Sequence, residues 1–240
     1  MSSSVPRLIA TVGLHGSAST YVFNVVRELV VATVGTGNVL ALSAEDVSEL
    51  FSQPALENRY VVLKSHRGGA GWDALIWLTQ APVFVSIRDP RDAALSLALR
   101  FNEPLDKAVQ ALGADCRRAV RCADAGQMVL RYEDRFFEDR GLPAQWAEKL
   151  GLAVDPAVCR SVAHRYSTAE VRSFAAALGE LPPDQVIKTA QTRFDRVTQI
   201  HRTHIGDARV GKWRELLAPD ARAQITRYFE PFLARFGYEI

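Results

Sequence analysis

The sequence is sparing in several features that would point to a role. Only 3 of its 240 residues are cysteines, Cys116, Cys122 and Cys159, and no two form a CxxC pair. An odd number at these spacings excludes a disulfide framework and a four-thiolate zinc site, and leaves reduced structural thiols. Charge of one sign is also lacking: 29 Lys+Arg against 27 Asp+Glu gives +2. That is too little for a polyanion-coating protein, so any anion site must be local. No apolar run reaches the ~18 uncharged residues that suggest a membrane span. The most apolar stretch, 23–34, is broken by Arg27 and Glu28. The opening MSSSVPR has no basic start followed by an apolar run. No secretory leader is expected, and a cytoplasmic location follows by default.

The chain does have the composition of a folded protein. Apolar residues make up 48% and charged residues 23%, which suits a globular chain and not a disordered one. A chain of 240 residues buries a sizeable core unaided, and one domain over 1–240 is expected. The run LIATVGL at 8–14 is rich in β-branched residues and is closed by Gly13 and Gly16, so it reads as a buried strand. Val22, Val25, Val26, Leu29 and Val30 then recur at three- and four-residue spacing. This predicts an amphipathic helix to about residue 33. Strands follow at 38–42, 60–64, 82–87 and 128–131, with helices at 44–51, 72–79, 91–101 and 105–123. The alternation predicts an α/β fold: a parallel sheet flanked by helices, its strand C-terminal ends along one edge. Beyond residue 142 the pattern is helical, at 143–150, 156–166, 168–178 and 220–236. The irregular stretch 179–214, with Pro182 and Pro183, is too long for an ordinary connection and is expected to be functional.

Three strand ends carry chemistry. The first leads into Gly13-Leu14-His15-Gly16-Ser17-Ala18-Ser19-Thr20-Tyr21. Small residues let backbone N–H groups converge, and a helix N-terminus adds partial positive charge, which suits a phosphate. Ser17, Ser19 and Thr20 add hydroxyls; the same residues also suit a plain capped turn. The GxxxxGK[ST] loop of nucleoside triphosphatases is excluded, because no Lys stands here. The second strand ends in Lys64-Ser65-His66-Arg67. An imidazole at that edge can take a hydroxyl proton, whereas a surface basic cluster is the plain alternative. The third ends in Ile87-Arg88-Asp89-Pro90-Arg91-Asp92. Arg88 offers a fork for a phosphate, Asp89 a cap, and Pro90 the first helical position.

Taken in order, GLHGSASTY, VLKSH, VSIRDPRDAALS, MVLRYED and RVGKWREL resemble the blocks of the sulfotransferase family that uses 3′-phosphoadenosine 5′-phosphosulfate (PAPS). The blocks span most of the chain, and IRDPRDxxxS is the most specific. The resemblance implies the P-loop-like sulfotransferase architecture with a helical C-terminal half. It implies transfer of sulfonate from PAPS to a hydroxyl or amine, leaving 3′-phosphoadenosine 5′-phosphate (PAP), without a metal. Gly16, Ser17, Ala18, Ser19 and Thr20 would form the loop around the 5′-phosphosulfate. Tyr21, usually Trp in the family, would stack on adenine, and Tyr132 would contact it. Arg88 and Ser96 would bind the 3′-phosphate, with Arg209, Gly211 and Trp213 in the block that closes over it. His66 would be the general base, and Lys64 the basic residue two positions before it.

The chain departs from the family at a few positions. Gly16 stands where Lys or Arg is usual, and Ala18 where Gly is usual; Gly206 and Ala208 replace an Arg and a Gly. Sulfuryl transfer needs an in-line nucleophile, a clamped donor and positive charge at the leaving oxygen. Lys64 and His15 are the candidates for that charge, and Arg202 and Arg209 for the last block. The alternative reading is a PAPS- or PAP-binding protein of the same fold that no longer catalyses; a small-molecule kinase ranks lower. Nucleic-acid binding through Arg196, Arg202, Arg209, Lys212 and Arg214 is not expected without a recognition-helix pattern. His201-Arg202-Thr203-His204 lacks nearby acid or thiol ligands and reads as non-metal. The acceptor is expected to be a small molecule, lipid or glycan. Its pocket would be shaped by 44–51, 67–71 and 179–208, and the oligomeric state is left open.

Overall fold

A computed structural model describes residues 7–53, 59–189, 193–203 and 205–240. Residues 1–6, on which the leader reading rests, and His204 lie outside the described residues. Five strands, β1 (Arg7–Gly13), β2 (Val39–Ser43), β3 (Tyr60–Ser65), β4 (Val83–Ile87) and β5 (Met128–Arg131), form one sheet in the order β2-β3-β1-β4-β5. Every pairing is parallel. The helices are α1 (Ser19–Val34), α2 (Ser48–Phe51), α3 (Ala70–Thr79), α4 (Pro90–Phe101), α5 (Leu105–Asp124), α6 (Leu142–Lys149), α7 (Pro156–Arg165), α8 (Thr168–Ala176), α9 (Trp213–Leu216) and α10 (Pro219–Phe236).

Alternate strand residues serve two cores. Leu8, Ala10, Val12, Leu63 and Val85 join Trp72, Leu112, Phe229 and Leu233 of α3, α5 and α10 on one face. Ile9, Val62 and Phe84 join α1, α6, α7 and α8 on the other. Because both faces are buried, the strands read as unbroken apolar runs instead of alternating ones. On α1, Val22, Val25, Val26, Leu29 and Val30 are 0–1% exposed and pack with Trp146 and Val162. Each contributes roughly 1.5–3 kcal/mol of burial, before the entropy of ordering it.

The predicted α/β layout is present, with two local differences. The helix expected over 44–51 shrinks to α2. Glu45 bonds the backbone N–H groups of His66, Arg67 and Gly68, and Asp46 accepts from Ser48 N–H at 2.8 Å. Side chains committed to other backbone groups leave this stretch as a turn. Within 179–214 the chain forms a short antiparallel pair, β6 (Val186–Lys188) and β7 (Arg193–Asp195), followed by α9. Three-residue strands are too short to show a period. No helix among the described residues is long and apolar enough to cross a membrane.

The connection from β1 runs to one side of the sheet, and that from β3 crosses to β4 on the other. Such a switch point opens a crevice at the strand C-terminal ends. In register, Val12 lies opposite Ser65 and Gly13 opposite Ser86. The three chemically rich turns therefore meet at one edge.

Candidate active site

The loop after β1 is pinned to β4. Leu14 N–H donates to Ser86 C=O at 3.1 Å, and Ser17 Oγ lies 2.8 Å from Ser86 Oγ while donating to Leu14 C=O at 2.7 Å. Gly13 must be glycine here, since a Cβ would fall 2.1 Å from Ser86 Oγ. Gly16 (φ 81°) and Ala18 (φ 63°) then turn the chain through left-handed conformations into α1. No side chain caps that helix. Tyr21 N–H turns back to Ala18 C=O at 3.0 Å, so the Ser19 and Thr20 amides, at the positive end of the dipole, are left without a capping group.

The turn after β3 is held from behind. Burial pushes the Glu45 carboxyl upward, but bonds from Gly68, His66, Ser65 and Arg67 outweigh this and hold it below the usual carboxylate range. His66 Nδ1 lies 2.6 Å from Gly13 C=O. A carbonyl only accepts, so Nδ1 carries the hydrogen and Nε2 the lone pair. Burial, with His15 and Lys64 adding repulsion, holds the His66 ring well below its ordinary pKa, so it is a neutral imidazole. Its ring stacks on that of His15, with centroids 3.8 Å apart at 20°. Burial also draws the Lys64 ammonium down to about 8, against the pull of Glu45 and with help from Arg100.

At the end of β4, Arg88 donates from Nη1 to Gly16 C=O at 3.1 Å and from Nη2 to Arg209 C=O at 2.8 Å. Its guanidinium covers the Tyr132 ring at 4.2 Å, and its buried Nε has no partner among the described residues. Asp89 caps α4, accepting from Arg91 N–H at 2.9 Å.

These turns surround a cavity of about 640 Å³. Gly16, Ala18, Ser19, Thr20, Tyr21, Lys64, His66, Arg88, Ser96 and Tyr132 all line it. Four residues named from sequence are placed otherwise. The Ser17 hydroxyl is buried in its bonds to Leu14 and Ser86 and does not reach the cavity wall. Arg209 turns its side chain to Glu215 at 3.0 Å and meets the site only through its carbonyl. Gly211 and Trp213 direct their N–H groups to the Asp92 carboxylate, and the Trp213 ring packs against the Arg91 guanidinium at 3.7 Å. Gly211 and Trp213 thus act as a strut behind the cavity, while Lys212 between them lines it.

Several lining residues escaped the sequence reading. Arg100 stands one helical turn beyond Ser96, a spacing that could have revealed it. Tyr166, Phe137 and Ile200 add an apolar wall; Arg202, a sequence candidate for the last block's charge, and Lys212 of that block also line the cavity. His201 also lines the cavity; burial, with Arg100 and Lys64 nearby, draws it down to about 3. Asp115, on α5, bonds His15 and carries no local signal at all.

No protein-family model matches the sequence, and no curated protein matches it. Among solved structures, it is similar to mouse sulfotransferase SULT7A1 complexed with PAP. The TM-score is 0.65 at 16% identity, over 97% of this chain and 86% of that one. Retinol dehydratase with androsterone and the inactive cofactor PAP gives 0.58 at 14%, over 94% and 80%. Retinol dehydratase with retinol and PAP gives 0.57 at 13%, over 96% and 82%. The fold is the sulfotransferase fold. In this chain it sets an uncapped helix, a neutral imidazole and an arginine fork around one cavity. Such an arrangement suits an anionic ligand beside a proton-accepting group.

Proposed function

We propose that this protein is a PAPS-dependent sulfotransferase that moves a sulfonate group to a hydroxyl, or amine, of a small-molecule, lipid or glycan acceptor. One observation carries the reading: the uncapped loop before α1, the base His66, and Arg88 with Ser96 all face a single cavity. The residues present fit a doubly phosphorylated nucleotide. The unfilled first turn of α1 and the orphaned Arg88 Nε both await an anion.

PAPS supplies the sulfonate. Ser19, Thr20 and the loop amides would hold the phosphosulfate end, while Arg88 and Ser96 fix the other end and so set distance and angle. Tyr21 and Tyr132 supply aromatic surface for the base. His66 Nε2 accepts the acceptor's proton, its tautomer set by Gly13 C=O. Because its pKa is lowered, His66 stays unprotonated through neutral pH, and the acid limb of kcat should lie below about 6.5.

His66→Ala tests the reading. It should lower kcat by at least about 100-fold while PAP affinity changes little; undiminished turnover would remove the base from the mechanism. A second reading, a PAP-binding protein without turnover, draws on Gly16 and on the bonds already made by Arg88 to two carbonyls. Incubation with labelled PAPS and a panel of alcohols, phenols and sugars separates the two, since a pure binder retains the label without passing it on.

A further inference from the structure

The reaction just described leaves the buried Asp115 carboxyl unused. The Asp115 side chain has no solvent exposure. Its Oδ2 accepts from His15 N–H at 3.1 Å and lies 2.6 Å from His15 Nδ1; its Oδ1 is buried with no partner among the described residues. A carboxylate buried this way is costly unless a cation answers it. His15 is the group it touches. The His15 side chain is 28% exposed and lines the cavity next to Gly16.

The stacking sharpens the assignment. Two imidazoles 3.8 Å apart repel strongly if both become charged. His66 gains a proton during turnover, so a charged His15 beside it requires compensation. Asp115 provides that compensation at the edge of the His15 ring, through Nδ1. The other charged groups about the pair are Lys64, Arg118 and Glu45, the last through the His66 backbone. Among the described residues, only Asp115 hydrogen-bonds to His15.

Resting on the sulfotransferase reading, we propose that His15 is a catalytic residue. Held as an imidazolium by Asp115, it supplies the positive charge at the donor's leaving oxygen that no loop lysine provides here. Asp115 is its positioning residue. As the acceptor oxygen bonds to sulfur, its proton passes to His66 Nε2. The bond between sulfur and the 5′-phosphate oxygen breaks, and its electron pair stays on that oxygen. His15 answers the new charge by hydrogen bonding and gives up no proton.

A metal ion is the rival occupant, since donor atoms of His15, His66 and Asp115 lie within 4.8 Å of one another. The nearly parallel rings aim their in-plane lone pairs side by side and not at a common centre, and both Nδ1 atoms are engaged.

The test uses the full chain with His15→Gln and Asp115→Asn. Each should lower kcat by about 100-fold. The KM for PAPS should change little while inhibition by PAP weakens, because only the product carries the full charge on that oxygen. Nitrogen-15 NMR of the wild type at neutral pH should find both His15 ring nitrogens protonated, and only one in Asp115→Asn. His15→Gln, at a partly exposed position, carries the test if Asp115→Asn does not fold. A neutral His15 ring in the wild type, or kcat in His15→Gln within about threefold of wild type, overturns the proposal. So does stoichiometric Zn²⁺ binding that His15→Gln abolishes and that turnover requires. A wild type that transfers sulfonate while His15→Gln is unimpaired removes only the His15–Asp115 role; a wild type that fails to bind PAP removes the sulfotransferase reading as well.

Discussion

Helices α1 and α4 both begin at the C-terminal edge of the sheet, yet their N-termini are built in opposite ways. At α4, Asp89 caps the Arg91 N–H, Pro90 takes the first position, and the Arg91 guanidinium bonds both Asp89 oxygens while packing on Trp213. The protein has satisfied that end itself. At α1, Ala18 adopts a left-handed conformation, no side chain caps, and Ser19 and Thr20 line the cavity. A cap closes a helix end to ligands, and the lack of one leaves it open to them. The same contrast holds for the cations. Arg91 is fully partnered, whereas the Lys64 ammonium, buried and lining the cavity, has no hydrogen-bond or ion-pair partner among the described residues.

The largest expected effect is on the self-satisfied end. Asp89→Ala removes the cap and strips Arg91, whose side chain is 1% exposed, of its carboxylate. The loss should be about 3–5 kcal/mol in denaturant unfolding. A loss below about 1 kcal/mol would erase the contrast between the two helix ends.

Lys64 should come next. Its pKa falls from an ordinary 10.5 to about 8 in the folded chain. Between those values the unfolded chain binds the extra proton, so stability should rise with pH across that window, by on the order of 3 kcal/mol in full. Lys64→Met should flatten the rise. An equal rise in both proteins would show that Lys64 is not the source of the pH dependence.

Arg88→Ala should weaken PAP binding by roughly 10- to 100-fold in calorimetry, the loss of a charge-assisted clamp. Unchanged affinity would place the nucleotide's second phosphate elsewhere. The smallest effects form a crossed pair. Ser17→Ala should cost about 1 kcal/mol of stability through its lost bonds to Leu14 and Ser86. Ser19→Ala should cost under about 0.5 kcal/mol, since no cap is lost, yet should weaken PAP binding by a few-fold. The reverse pattern would exchange the roles of the two serines.

Much of this was legible beforehand for identifiable reasons. Strands buried on both faces appear as apolar runs, and α1 announces itself by the spacing of its valines. Asp89-Pro90 names its own cap and first position. The α2 boundary was not legible, because Glu45 serves the turn after β3. Nor was the posture of Ser17, which chemistry alone could not tell from Ser19; only the proximity of Ser86 separates them.

Periodicity and turn chemistry act over a few residues, so the order of the five sheet strands with the helices between them, and the residue types at each strand end, were written in the sequence by itself. Which of those ends would meet, and in what charge state, was decided only by the folded chain. Asp115 reaches His15 across 100 residues of sequence, and Arg88 reaches the Arg209 carbonyl across 121. Such pairings, and the burial that resets Lys64 and His66, exist only once the sheet has brought distant segments to one edge and excluded water from between them.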